Sequence, residues 1–174
     1  MSGYALLVSC LALLLSAFTF YWTSLRYKKD FFLVRIDSIG EIAITRFALI
    51  NGGNKDILVT NVMCGFECKD GSQSYPAQRI ELTEGNSFLI HAGKAIHCKV
   101  NFLEPFSSSF AQQGREERHG PLTLYAMNTV IDVEWILPNG RDYKKSVKII
   151  KYGFDINGHI SMRSPLGKKF DLHA

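Results

Sequence analysis

Arg46-Phe47-Ala48-Leu49-Ile50-Asn51-Gly52-Gly53-Asn54-Lys55-Asp56-Ile57-Leu58-Val59-Thr60-Asn61-Val62 sets two apolar runs on either side of a four-residue polar stop. Asn51-Gly52-Gly53-Asn54 favours a turn for two reasons: glycine reaches positive φ at no steric cost, and asparagine hydrogen-bonds nearby backbone. The flanking segments, Glu41–Ile50 and Asp56–Val62, are short and rich in β-branched and apolar residues, so both are predicted as strands.

The same rhythm continues outward. Segments near Phe31–Asp37, Met63–Cys68, Gln73–Leu82, Ser87–Ile90, Ala95–Phe102, Leu122–Leu137 (with a break near Asn128) and Asp142–Ile150 read as further strands. They are punctuated by Ser38-Ile39-Gly40, Lys69-Asp70-Gly71-Ser72, Glu84-Gly85-Asn86, Ala92-Gly93-Lys94 and Pro138-Asn139-Gly140. Many short strands with turn residues between them indicate an all-β sandwich or barrel.

Before the first strand the character changes. Gly3 to Trp22 holds no ionisable side chain other than Tyr4, Cys10 and Tyr21, and a run of that length matches the hydrocarbon core of a bilayer. The segment is predicted as a transmembrane helix with Tyr4 at one interface and Tyr21 and Trp22 at the other. Arg26, Lys28 and Lys29 follow it and complete the anchor, whereas Met1 to Gly3 carries no Lys or Arg. By the positive-inside rule the β domain is expected in the cytoplasm; the reverse topology, with the domain periplasmic or extracellular, is the alternative. A cleaved secretory signal would call for a basic start. Leu7-Val8-Ser9-Cys10 has the look of a lipobox, but most of the apolar run follows the cysteine, so Cys10 reads as a small apolar residue.

About 150 residues follow the span, the size of one domain. From Arg141 to Ala174 eight basic residues face three acidic ones, +5 in a chain whose total is +4, so the rest sums to −1. Lys144, Lys148, Arg163, Lys168 and Lys169 are therefore candidates for surface binding. Cys64, Cys68 and Cys98 make an odd set, which suits a reducing compartment better than a disulfide scaffold.

Hairpin registers can be expected from the apolar rows. A two-residue Asp70-Gly71 turn would set Phe66 against Tyr75 and Cys64 against Ala77 in a core row. At Pro138-Asn139-Gly140 a three-residue loop with Gly140 at positive φ sets Trp135 against Tyr143 and Ile131 against Val147. The same register puts Glu134 opposite Lys144 and Lys145 opposite Val133. Ile96, Cys98, Val100 and Phe102 alternate as another inward row, with His97, Lys99 and Asn101 outside. Phe106 to Gly120 reads as a solvated insertion with one helical turn after Pro105. The segment after Tyr152 is expected outside the sandwich core, a basic tail holding at most a small hairpin at Asn157-Gly158.

Chemistry finds little support. Cys64 and Cys68 lie roughly 13 Å apart along one extended strand, too far for a shared metal ion, so Cys64, Cys68 and Cys98 read as core thiols. His91, His97, His119, His159 and His173 form no catalytic set, no nucleophile elbow accompanies them, and no phosphate-binding loop is present. No enzyme activity, cofactor or metal is expected.

The stretch Arg46 to Val62 resembles the "apolar strand, Asn-x-Gly-Asn, apolar strand" passage of bacterial immunoglobulin-like sandwich domains. The whole layout resembles small bacterial membrane proteins with one N-terminal span, a basic juncture and such a domain. That resemblance implies residues 1–25 as transmembrane helix, 26–152 as an immunoglobulin-like β-sandwich and 153–174 as a basic C-terminal tail, at a bacterial inner membrane. The functional expectation is a membrane-tethered, non-enzymatic protein-interaction module whose protein partner is unidentified. The alternative is an electrostatic binder of anionic lipid or nucleic acid through the basic C-terminal segment. Nucleic acid is the less favoured of those ligands.

Overall fold

Two-residue alternation governs the chain from residue 31 onward, as β1 shows: Phe31, Leu33 and Arg35 are buried while Phe32, Val34 and Ile36 are half-buried. The structure, a computed structural model, describes residues 3–22, 28, 30–36, 43–75, 78–82, 87–102 and 105–172, with 78–82 described by backbone alone. One helix, α1 (Gly3–Phe20), precedes β1 (Phe31–Ile36), β2 (Ile44–Asn51), β3 (Ile57–Glu67), β4 (Gln73–Ser74), β5 (Gln78–Leu82), β6 (Phe88–Ile90) and β7 (Ala95–Phe102). After them come α2 (Ser108–Ala111), β8 (Arg115–His119), β9 (Leu122–Ile136), β10 (Asp142–Phe154), β11 (Ile160–Pro165) and β12 (Lys169–Asp171).

All pairings among the described residues are antiparallel. They form a five-stranded sheet in the order β12-β1-β2-β7-β5 and a seven-stranded sheet in the order β11-β10-β9-β3-β4, with β6 also on β3 and β8 on β9. One core joins them: Leu33, Phe47, Leu49 and Val100 from the first sheet meet Val59, Cys64, Ile131, Val133 and Ile149 from the second. Phe31 meets Trp135 edge-on at 5.3 Å across the layers. Thr45 and Tyr152, both fully buried, share a hydroxyl hydrogen bond of 2.9 Å between the sheets. Each fully buried large apolar side chain contributes about 1.5–3 kcal/mol.

Most of the predicted strands are present, with three corrections of detail. Asp56–Val62 and Met63–Cys68 are one strand, β3, whose register shifts between Val59 and Asn61. The bulge at Thr60 moves the buried set from Ile57 and Val59 to Val62, Cys64 and Phe66. β9 runs unbroken through Asn128. Gln73–Leu82 divides into β4 and β5, which belong to different sheets. The start of the predicted second strand, residues 41 and 42, lies outside the described residues.

Asn51 explains the polar stop between β2 and β3. Its buried amide donates to the carbonyls of Lys55 (2.8 Å) and Ile90 (2.9 Å), and its Oδ1 accepts from Gly53 N–H at 3.0 Å. Asp56 adds a second tie, accepting from Ala92 N–H at 3.0 Å while its other oxygen lies 3.0 Å from His91 Nδ1. The chain entering the domain is held on the same loop, with Lys28 N–H donating to Asn54 Oδ1 at 3.0 Å and Gly52 N–H to Asp30 at 2.7 Å. A Cβ at Gly53 would come within 2.3 Å of the Lys28 carbonyl oxygen, so glycine is required there.

Two larger expectations are corrected. The insertion Phe106–Gly120 is not a solvated loop: the helical turn exists as α2, capped by Ser107, but it delivers Phe106, Phe110 and Ala111 into the core. Phe106 and Phe110 stack at 5.0 Å and surround Phe66 with Phe102 and Phe154. Such pairs add about 0.5–1.5 kcal/mol beyond their burial. The remainder of the insertion is β8, paired with β9.

The segment after Tyr152 is likewise not outside the core. β10 continues to Phe154, β11 pairs with β10, and β12 pairs with β1 in the other sheet. Leu172 is fully buried and Ile160 is buried. The crossing between β11 and β12 ties both layers together: Leu166 N–H donates to Ile149 (3.1 Å), Arg35 N–H to Lys168 (2.8 Å), and the Arg35 guanidinium to the Gly167 carbonyl. The expected small hairpin does exist, with Asp155 N–H donating to His159 at 2.9 Å and Gly158 at φ +84°.

Candidate functional site

The outward-facing side of the seven-stranded sheet gathers the domain's charged contacts. β9 is its spine, carrying β10 along one edge and, along the other, first β8 and then β3. Because the pleat alternates, Ala126, Asn128, Val130, Asp132 and Glu134 share the face opposite the core row of Thr129, Ile131, Val133 and Trp135.

At one end Glu67, Arg115, Glu117, Asn128, Lys148 and Lys151 rim a cavity of about 320 Å3. The residues arrive from four strands by register: Glu67 and Lys151 flank Asn128, and Arg115 and Gly153 flank Ala126. Ala126 brings almost no side-chain bulk to the lining, which leaves a hollow between charged walls. Lys148 Nζ lies 2.6 Å from Glu67 Oε1, and Asn128 Nδ2 donates to Glu67 Oε2 at 2.8 Å. Lys151 donates to both oxygens of Glu117 at 2.6 and 2.7 Å. Lys148 above all, then Asn128, holds the Glu67 carboxyl below the usual carboxylate range, and Lys151 does the same for Glu117.

Toward the middle of the face lies a buried carboxylate. Asp132 is 2% exposed; its Oδ2 accepts from the Tyr75 hydroxyl at 2.5 Å, while its Oδ1 has no hydrogen-bond partner among the described residues. The Tyr75 ring packs against Gly65, where a Cβ would approach it to 2.8 Å. The bond to Asp132, followed by desolvation, raises the Tyr75 phenol to about 12. Tyr75 was expected in a core row opposite Phe66, but it is 47% exposed and the partner of Phe66 is Ser74. The reason is the turn: Cys68 N–H bonds Ser72 and Gly71 sits at φ +83°, so the loop is three residues, not two. Ala77 lies outside the described residues. The hairpin at residues 138–140 follows its predicted register, with Trp135 opposite Tyr143, Ile131 opposite Val147, Glu134 opposite Lys144 and Val133 opposite Lys145.

The basic residues singled out from sequence do not converge. Lys144 pairs with Glu134 at 2.8 Å and Lys148 with Glu67, both on the seven-stranded sheet. Arg163 is on β11, at the edge of that sheet. Lys169 lies on β12 of the other sheet, its ammonium 3.6 Å above the Phe32 ring, and Lys168 is exposed in the crossing before it. Of the anchor set, Tyr4 is 83% exposed, and Trp22 stacks on Phe18 at 5.6 Å. Tyr21 is exposed beside it and Lys28 is exposed, while Arg26 and Lys29 lie outside the described residues. Sequence alone does not single out Arg115 and Glu117, which sit in a polar insertion without strand alternation, nor Glu67 and Lys151, whose place at the hollow depends on β3 and β10 both pairing with β9.

Cys64 and Cys98 are buried free thiols. Burial pushes Cys64 up, with Asp132 adding to it, and pushes Cys98 up to about 12. No family model, curated protein sequence or solved structure matches the chain.

Proposed function

We propose that the chain is a single-pass membrane protein whose β domain, an immunoglobulin-like sandwich, serves as a non-enzymatic protein-interaction module on the cytoplasmic side of a bacterial inner membrane. One observation carries this reading: α1 is long and apolar enough to cross a membrane and buries none of its residues on the β domain. Eighteen residues at 1.5 Å rise span about 27 Å, close to a hydrocarbon core of about 30 Å. Two of the helix's hydroxyls bond back to their own backbone, Ser9 to the Ala5 carbonyl at 2.9 Å and Thr19 to Leu15 at 2.8 Å.

The non-enzymatic reading is supported by how the polar groups are used. Glu67, Glu117 and Glu134 are each held ionised by a lysine, which suits them poorly to proton transfer near neutral pH. The buried, raised Cys64 and Cys98 thiols are poor nucleophiles. The electrostatic alternative draws less support, because its cations are divided between two sheets and Lys144 and Lys148 are already paired.

Crosslinking in intact membranes tests the proposal. A discrete protein partner captured through the β domain and retained at high salt is expected. Capture that disappears with salt, with lipid or nucleic acid alone recovered, would favour the electrostatic reading. Orientation is read separately from a cysteine placed at exposed Ser108 in a chain lacking its native cysteines. Labelling of intact cells by an impermeant reagent would place the domain outside.

A further inference from the structure

We propose that the hollow between β3, β8, β9 and β10 is a binding site for a phosphate monoester. This does not depend on whether α1 lies in a membrane. The hollow is about 320 Å3, within the range of small-ligand pockets.

Its charge selects the ligand class. Four cations, Lys69, Arg115, Lys148 and Lys151, line it against two carboxylates, Glu67 and Glu117, a surplus of two positive charges. A phosphate monoester carries about −1.5 to −2 at neutral pH and matches that surplus, whereas a single carboxylate would leave about one charge unmet. The two carboxylates are already spent on Lys148 and Lys151, which fixes those ammonium groups at the walls.

Arg115 is different. It feels Glu67 only through space and makes no direct hydrogen bond or ion pair among the described residues. Its register position beside Ala126 puts this guanidinium among the groups lining the hollow, whereas Arg118, opposite Thr123, takes the other pleat and does not line it. A guanidinium presents donors in a planar fork that grips phosphate oxygens in pairs, while the neighbouring ammonium groups act as point charges. The carboxylate oxygens of Glu67 and Glu117 remain able to accept from hydroxyls, so the ester's body would be hydroxylated. A soluble sugar or polyol phosphate has both features, and the headgroup of phosphatidic acid shares the phosphate monoester alone.

The test titrates the full chain in neutral detergent micelles with glycerol 3-phosphate by calorimetry. Saturable binding is expected, weakened at least tenfold by Arg115→Gln. Arg118→Gln removes the same charge from the same strand on the opposite pleat, and it should change affinity less than twofold. No saturation by about 10 mM ligand, or equal weakening by both substitutions, overturns the proposal. If Arg115→Gln fails to fold, Arg115→Lys decides instead: affinity equal to that of the unaltered chain contradicts the role of the fork, and a clear loss sustains it. Doping the micelles with phosphatidic acid separates the sources, because competition with glycerol 3-phosphate marks the lipid headgroup and its absence the soluble ester.

Discussion

Gly65 leaves room for the Tyr75 ring, and among the described residues the hydroxyl of that ring is the one donor reaching the buried Asp132 carboxylate. Tyr75→Phe therefore removes a single oxygen from a residue that is 47% exposed, yet should destabilise the domain by about 1–3 kcal/mol, because Asp132 is left buried without that donor. Asp132→Asn in the same background should recover part of the loss; urea unfolding of the single and double variants measures both. The ion pairs predict a pH dependence. Glu67 and Glu117 have carboxyls depressed below the ordinary 4.5, so their contribution is complete above that value and is lost as pH falls through their lower folded values. Thermal stability should thus decline below about pH 4.5, with a shallower decline in Glu67→Gln. Little of this arrangement was legible in the sequence, since Glu117 meets Lys151 across 34 residues and Asn128 meets Glu67 across 61. Alternation says which side of a strand a residue takes, not which strands become neighbours.

Among the elements, hairpins were the most readable and the most instructive where misread. The loop at residues 138–140 follows from apolar rows that coincide in only one register, with Gly140 at φ +74°. The loop at residues 69–71 is built the same way, but Phe66 and Cys64 left two registers open because the short β4 supplies no second apolar row. Glycines at matching positive φ are not equally replaceable. Gly71→Ala meets open space and should cost about 1 kcal/mol from backbone strain alone. Gly158→Ala would also place a Cβ 1.9 Å from the Phe106 carbonyl oxygen and should cost at least about 3 kcal/mol by chemical denaturation. The last strands were missed because glycine and proline cut their apolar residues into pieces too short to show a period, while the helical turn α2 was expected but its burial was masked by the serines and glutamines around Phe106 and Phe110. Leu172, fully buried just after β12, gives the direct check: Leu172→Ala should destabilise the domain by about 2–5 kcal/mol, and a change below about 0.5 would contradict its place in the core.

For the whole molecule, the sequence displayed the division between one apolar helix and a β domain because the two parts obey different solvents. α1 is uniformly apolar and exposed, whereas the β domain hides every second residue within its sheets. The sheet pairing was less legible, since it depends on the crossings at residues 51–56, 91–94 and 166–168, where backbone hydrogen bonds and not apolar rows decide which strands meet. The central claim is that α1 stays with the domain and holds it in a bilayer. A secretory signal would share its apolar character but would be removed. Intact mass of the protein recovered from carbonate-washed membranes decides between them. The account predicts the full 19.6 kDa chain in the membrane fraction; a chain in the soluble fraction, short by the segment through Trp22, would contradict it.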